Sequence, residues 1–191
     1  MSKTLAVILI DRFADWEHGF LTAPIRDFFN GTVRFYTPDG SPVASEGGMR
    51  AVADGGFDAL NPDGYDALAV IGSGLWMKDG APDIAPIVQA ADKAGRLTGF
   101  ICGATAAAAR AGLLNARAHT SNSLETLTSV PAYNGAAHYR NVPHAVADGH
   151  LVTAAGFAPR SFAFRMLEIL LPEEAKSLGY YKDELTAERF A

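Results

Sequence analysis

The segment Thr4-Leu-Ala-Val-Ile-Leu-Ile10 most constrains what this chain can fold into. It is an uninterrupted apolar run with no in/out alternation, so it reads as a strand buried on both faces of a parallel sheet. Parallel neighbours need a crossover, usually a helix, and the chain supplies one at once. From Glu17 to Asn30 the residues Phe20, Leu21, Ala23, Pro24, Ile25, Phe28 and Phe29 fall mostly at helical spacing, with Gly31 as the stop. Thr32–Thr37 is a second strand, closed by the turn Pro38-Asp39-Gly40. A strand–helix–strand unit is the signature of α/β architecture.

The rest of the chain repeats that grammar. Residues 43–53 read as a small hairpin pivoting on Gly47-Gly48, and Asn61-Pro62-Asp63-Gly64 as a turn. Asp66–Ile71 is a third buried strand running into Gly72-Ser73-Gly74. Residues 83–94 form a helix stopped by Gly95, Leu97–Ile101 a fourth strand, and Gly103–Leu114 a small-residue helix. Ala145–Ala147, Asp148-Gly149 and Leu151–Ala154 make a second hairpin, and Pro159 opens a helix to about Leu171. The expectation is a doubly wound, mostly parallel sheet sandwiched by helices. At roughly 150 residues per domain, 191 residues make one domain over 1–191, with 172–191 as a helical C-terminal extension.

Composition matters mainly for what it excludes. With 16 Lys and Arg against 21 Asp and Glu the net charge is −5, and no basic patch stands out, which argues against nucleic acid and anionic membrane as partners. The apolar run Leu5–Ile10 is too short for a signal peptide, and no segment reaches the ~18 apolar residues of a membrane helix, so a cytoplasmic protein is expected. The single cysteine, Cys102, excludes an internal disulfide and a multi-cysteine metal site. His18, His119, His138, His144 and His150 show no metal-ligand spacing. No metal site is expected.

In an open parallel sheet, ligands bind beyond the carboxyl ends of the strands. Asp11, Asp15 and Glu17 follow the first strand, Gly72-Ser73-Gly74 the third, and Cys102-Gly103-Ala104-Thr105 the fourth. Cys102 lies at a strand-to-helix turn followed by very small residues, the setting of a nucleophile elbow. A helix N-terminus there would favour thiolate over thiol. A small cysteine packed in the core is the competing reading. Gly72-Ser73-Gly74 either presents backbone N–H groups to a developing oxyanion beside that sulfur or is an ordinary glycine-rich strand exit. Glu17 is either a dipole-favoured carboxylate or a buried acid facing Cys102. Asp15 reads as a helix cap, Asp11 as a loop carboxylate, and His119 as either structural or directed at the same edge.

Taken together, these residues resemble the DJ-1/PfpI (ThiJ/PfpI) family of the class I glutamine amidotransferase-like superfamily, nearest the subgroup named for glutamine amidotransferase. The resemblance rests on Phe13-Ala14-Asp15-Trp16-Glu17, the Val43–Asp54 hairpin and Gly72-Ser73-Gly74. It extends through Ile101-Cys102-Gly103-Ala104-Thr105, Ala111-Gly112-Leu113-Leu114, His119-Thr120-Ser121-Asn122 and Leu151–Gly156. It implies a flavodoxin-like sandwich with a reactive Cys102 at the elbow and Glu17 as the family's glutamate. It also implies oxyanion donors near Gly72, Ser73 and Gly103, homodimers or larger homo-oligomers, and no cofactor. Where many proteases and amidases of the family carry histidine after the cysteine, this chain has Gly103. Where other members place one in the following strand, it has Asn122, with His119 nearby.

Two functions follow as expectations. One is a cysteine enzyme acting on a small amide, carbonyl or related electrophile, an amidase-like hydrolase or a hydratase, with accessory roles open to His119, Asn122 and Asp15. The other is a non-enzymatic, redox-responsive homodimer whose Cys102 oxidises. Both need the same reactive thiol.

Overall fold

The computed structural model describes residues 2–187. Its main sheet has seven strands: β1 (Thr4–Ile8), β2 (Thr32–Thr37), β5 (Gly55–Gly56), β6 (Ala67–Val70), β7 (Leu97–Ile101), β8 (Val146–Asp148) and β9 (Leu151–Ala154). They lie in the order β5-β2-β1-β6-β7-β9-β8, all parallel except the edge strand β8, which pairs antiparallel with β9. A separate antiparallel pair, β3 (Val43–Ala44) and β4 (Arg50–Ala51), forms the glycine hairpin.

Alternation along β1 explains the layering. Leu5, Val7 and Leu9 pack with Leu21 and Ile25 of helix α1 (Asp15–Asp27) and with Phe162 and Met166 of helix α5 (Pro159–Leu170). Ala6, Ile8 and Ile10 point the other way, toward Val88 and Ala91 of α2 (Ala85–Lys93) and the alanines of α3 (Ala104–Arg110). Both faces of the sheet are therefore dry, as the unbroken apolar run requires. After β2 and β5 the chain crosses to the other side of β1 to form β6, so the switch point lies between β1 and β6, where a doubly wound sheet opens a crevice.

Three helix ends differ from expectation. Helix α1 begins at Asp15, and its cap is Ala14, which makes no side-chain capping bond. Asp15 is thus not the cap; its carboxylate accepts the Gly47 N–H at 2.8 Å. At the other end, Asn30 rather than Gly31 takes the left-handed turn (φ 51°), because the Gly31 N–H must reach Ile25 O at 2.7 Å. Helix α3 stops at Arg110, short of Leu114, where Gly112 turns the chain at φ 74°. A short helix α4 (Leu124–Thr128), capped by Ser123, was not evident in the pattern. The C-terminal segment contains α6 (Ala175–Ala187), tied to α1 by a Tyr181 hydroxyl that donates to Phe20 O at 2.7 Å. Residues 188–191 of the expected helical extension lie outside the described residues. No helix among the described residues is long and apolar enough to cross a membrane.

Candidate active site

Cys102 sits between β7 and α3 with φ 59°, a left-handed conformation that is strained for a residue with a side chain. Its surroundings over-determine it. The Cys102 N–H donates to Ala154 O at 2.9 Å. Its carbonyl accepts from the Thr105 hydroxyl at 2.7 Å, and that oxygen lies 2.7 Å from Ser121 Oγ. Small neighbours make the turn possible. A methyl carbon at Gly72 would lie 2.6 Å from Cys102 Cβ, one at Gly156 would lie 2.8 Å from Cys102 Sγ, and one at Gly103 would collide with the Ser73 carbonyl oxygen.

Three of the sequence-designated residues converge on the sulfur's surroundings. Glu17, on the first turn of α1, is 0% exposed. Its Oε2 accepts the Gly72 N–H at 2.7 Å, so Gly72, expected as an oxyanion donor, is already engaged by the carboxyl. Its Oε1 is buried without a hydrogen-bond partner and borders the same small gap as Cys102 Sγ. Asn122 donates from Nδ2 to Cys102 Sγ at 3.3 Å, while its Oδ1 accepts the Gly156 N–H at 2.8 Å. The Trp16 indole N–H donates to Gly156 O at 3.0 Å, anchoring that loop to α1. Gly156 carried no sequence signal as a site residue; only the fold brings it against the sulfur.

His119 is not part of this group. It is fully buried, and both ring nitrogens are engaged elsewhere, Nδ1 with Arg117 O at 2.7 Å and Nε2 with the Tyr133 hydroxyl at 2.8 Å. Burial holds its pKa below the ordinary histidine value, so it is a neutral structural ring. His18 packs between Phe13 and Phe35, and His150 pairs with Asp92 at 2.9 Å just before β9, at the opposite end of that strand from the site. Among the described residues no group of three His, Cys, Asp or Glu side chains could hold a metal.

Two acids share this small volume. Burial lifts the Glu17 carboxyl from its usual 4.5 to about 7, against the opposing Gly72 N–H and Cys102 side chain, and the Glu46 carboxylate adds to the lift. Burial, and then the Glu17 carboxylate, push the Cys102 thiol up, while the Asn122 amide and the Gly103 N–H pull it down. This corrects the expectation of a simply lowered thiol. Helix α3 has only seven residues, and its N-terminus is outweighed when Glu17 is charged. Close negative charges make the titration a property of the pair. Removing the amide with Asn122→Ala is expected to raise the alkylation midpoint of Cys102 by about half to one pH unit. Iodoacetamide rates measured against pH would show no change if the amide did not act on the sulfur.

A left-handed cysteine between strand and helix, next to a buried carboxyl at the switch-point edge, defines a doubly wound protein built around a nucleophile elbow. The chain matches the DJ-1/PfpI family over residues 3–169 and belongs to that family. It is 32% identical over 197 aligned residues to the uncharacterized protease YoaZ of Bacillus subtilis, covering 95% of this chain and 90% of that protein. The DJ-1 superfamily protein Atu0886 from Agrobacterium tumefaciens superposes with a TM-score of 0.88 at 41% identity, covering 96% of this chain and 99% of that one. The thiJ/pfpI family protein from Bacillus anthracis gives 0.88 at 30% identity, covering 98% and 92%.

Proposed function

We propose that the protein is a cysteine-dependent enzyme for a small amide, carbonyl or related electrophile, in which Glu17 holds the proton that Cys102 gives up. The observation that carries this is the orphaned, fully buried Glu17 Oε1 beside the more exposed Cys102 Sγ. With a proton on Glu17, the buried carboxyl donates to the Cys102 side chain it faces, and the Asn122 amide solvates the charge left on the sulfur. The thiolate adds to a carbonyl carbon, the C=O π pair moves to oxygen, and the Ser73 and Gly103 N–H groups receive that charge. Glu17 then passes its proton to the oxygen, or to a leaving amine. The protease naming of the Bacillus subtilis relative supports a hydrolase-like reaction. A homodimer fits the exposed apolar rings Phe28 and Tyr180 beside α1 and α6.

A second reading is favoured by one specific feature: His119, the histidine nearest in sequence to Asn122, has both ring nitrogens engaged away from the sulfur. A thiol without a paired histidine suits oxidation. The thiolate attacks a peroxide oxygen, the S–O bond forms as O–O breaks, and the leaving hydroxide takes the Glu17 proton.

Mass mapping after exposure to a neutral electrophile tests the enzyme reading. A single adduct on Cys102 is expected, formed within about twofold of the wild-type rate in His119→Ala. A His119→Ala rate collapse would instead make the histidine the partner of the sulfur and contradict the Cys102–Glu17 pair.

A further inference from the structure

Asn122 takes its orientation from the turn opposite it. A primary amide has one end that accepts and one that donates, and the two are nearly the same shape, so its neighbours decide which end faces which way. One neighbour is the Gly156 backbone N–H, which can only donate and lies 2.8 Å from Asn122 Oδ1. With the oxygen committed there, Nδ2 is the end left for Cys102 Sγ, 3.3 Å away. A reversed amide would set N–H against N–H at Gly156 and bring a carbonyl oxygen to the sulfur, where it would repel a thiolate. Asn122 is itself exposed, on a bend outside any helix or strand, so the Gly156 contact carries that choice.

The position of Gly156 is set in turn from two sides. The Ala158 N–H donates to Ala155 O at 2.9 Å, closing a tight turn, and the Trp16 indole N–H donates to the Gly156 carbonyl at 3.0 Å. Gly156 cannot be held by a side chain of its own, since a methyl carbon there would lie 2.8 Å from Sγ. Trp16 lies on the first turn of α1, immediately before Glu17, with its ring 50% exposed. What this half-exposed ring brings to the site is its N–H. One chain of hydrogen bonds therefore runs from the surface of α1 through Gly156 and Asn122 to the sulfur.

Resting on the reading of Cys102 as a nucleophile, we infer that Trp16 is a positioning residue for the Cys102 thiolate: its indole N–H holds the Gly156 turn so that the Asn122 amide presents its NH2 group to the sulfur. Consecutive residues of α1 then serve the sulfur from two directions, Glu17 through its buried carboxyl and Trp16 through the turn. Among the described residues, the groups acting on the sulfur are the Glu17 carboxyl from α1, the Asn122 amide, and the Gly103 N–H at the start of α3. Replacing the indole leaves all three in the chain and removes only the tether.

The test is a double-mutant cycle read from the pH dependence of Cys102 alkylation by iodoacetamide in the intact protein. Trp16→Phe keeps a ring, deletes the N–H, and is expected to raise the alkylation midpoint by about 0.3–0.7 pH unit. In the Asn122→Ala background the same change should move the midpoint by less than about 0.2 unit, because the amide through which it acts is gone. Phe157→Leu trims an exposed ring on the same turn and leaves the turn's hydrogen bonds in place. It too should stay within about 0.2 unit of the wild type. A midpoint that Trp16→Phe leaves unmoved, or moves equally with and without Asn122, overturns the inference. A wild-type midpoint at or above the ordinary thiol value would instead defeat the nucleophile reading. The comparison of the two backgrounds would still decide the part played by Trp16.

Discussion

Glu17→Gln is expected to stabilise the protein by about 3 kcal/mol at pH 8 while changing it by less than about 0.5 kcal/mol near pH 4.5. The sign follows from the direction in which burial moves the carboxyl. Its folded value is raised from 4.5 to about 7, so between those two values the folded chain holds a proton that the unfolded chain has released. Stability from this group is present below about pH 4.5 and is lost as pH rises through 7. At about 1.4 kcal/mol per pH unit, the loss is complete just above neutrality. Glutamine has the same shape and no proton to lose. Its Oε can still accept the Gly72 N–H that Glu17 accepts at 2.7 Å, and its amide can face the sulfur. Urea denaturation of both proteins at the two pH values measures the difference. Parallel stability–pH curves would mean that Glu17 ionises as an ordinary carboxylate.

Gly103→Ala is expected to destabilise by about 2–4 kcal/mol, and Gly19→Ala to stabilise by about 0.5–1 kcal/mol, although both place alanine at or inside a helix. The difference is space. A Cβ at Gly103 would collide with the Ser73 carbonyl oxygen, which belongs to a neighbouring segment and cannot swing aside like a flexible side chain. At Gly19, within α1, nothing lies within 4 Å of the added carbon, so only the helix-propensity gain remains. Thermal midpoints of the two variants should move in opposite directions. A neutral Gly103→Ala would show that the elbow does not need its tight contact with the 72–73 segment.

Much of the fold was legible because buried parallel strands announce themselves as unbroken apolar runs. Thr32–Thr37 and Leu97–Ile101 have the bounds read from the chain, and Gly48, Gly95 and Gly149 turn at positive φ where stops or pivots were expected. β5 was not legible, since Gly55-Gly56 carries no apolar side chain and pairs with β2 through backbone alone. The start of α1 was misread because acidic residues in a first turn resemble caps, whereas Asp15 is used by the hairpin and Glu17 by Gly72. In the site, Cys102 and Glu17 stood out by residue type and position. Asn122 was distinguished only by occupying a place where relatives keep histidine, and it does reach the sulfur. His119, three residues earlier, looked equally suitable. What removes it is its pairing with the Arg117 carbonyl two residues upstream and with Tyr133 of the 131–139 loop, which no periodicity encodes. Gly156 was invisible because its role is an absence of bulk beside Sγ.

The proton shared by Glu17 and Cys102 is tested most directly by the pH dependence of Cys102 alkylation by iodoacetamide in the wild type and in Glu17→Gln. With the proton resting on Glu17, the alkylation midpoint of Cys102 is expected below the ordinary thiol value, because the upward push on the thiol from the Glu17 carboxylate is then removed. The Gln variant keeps that midpoint within about one pH unit, since its amide still donates to the sulfur. A wild-type midpoint at or above the ordinary thiol value of about 8.5, falling when Glu17 becomes Gln, would contradict the account. It would show an ionised Glu17 keeping Cys102 as an unreactive thiol.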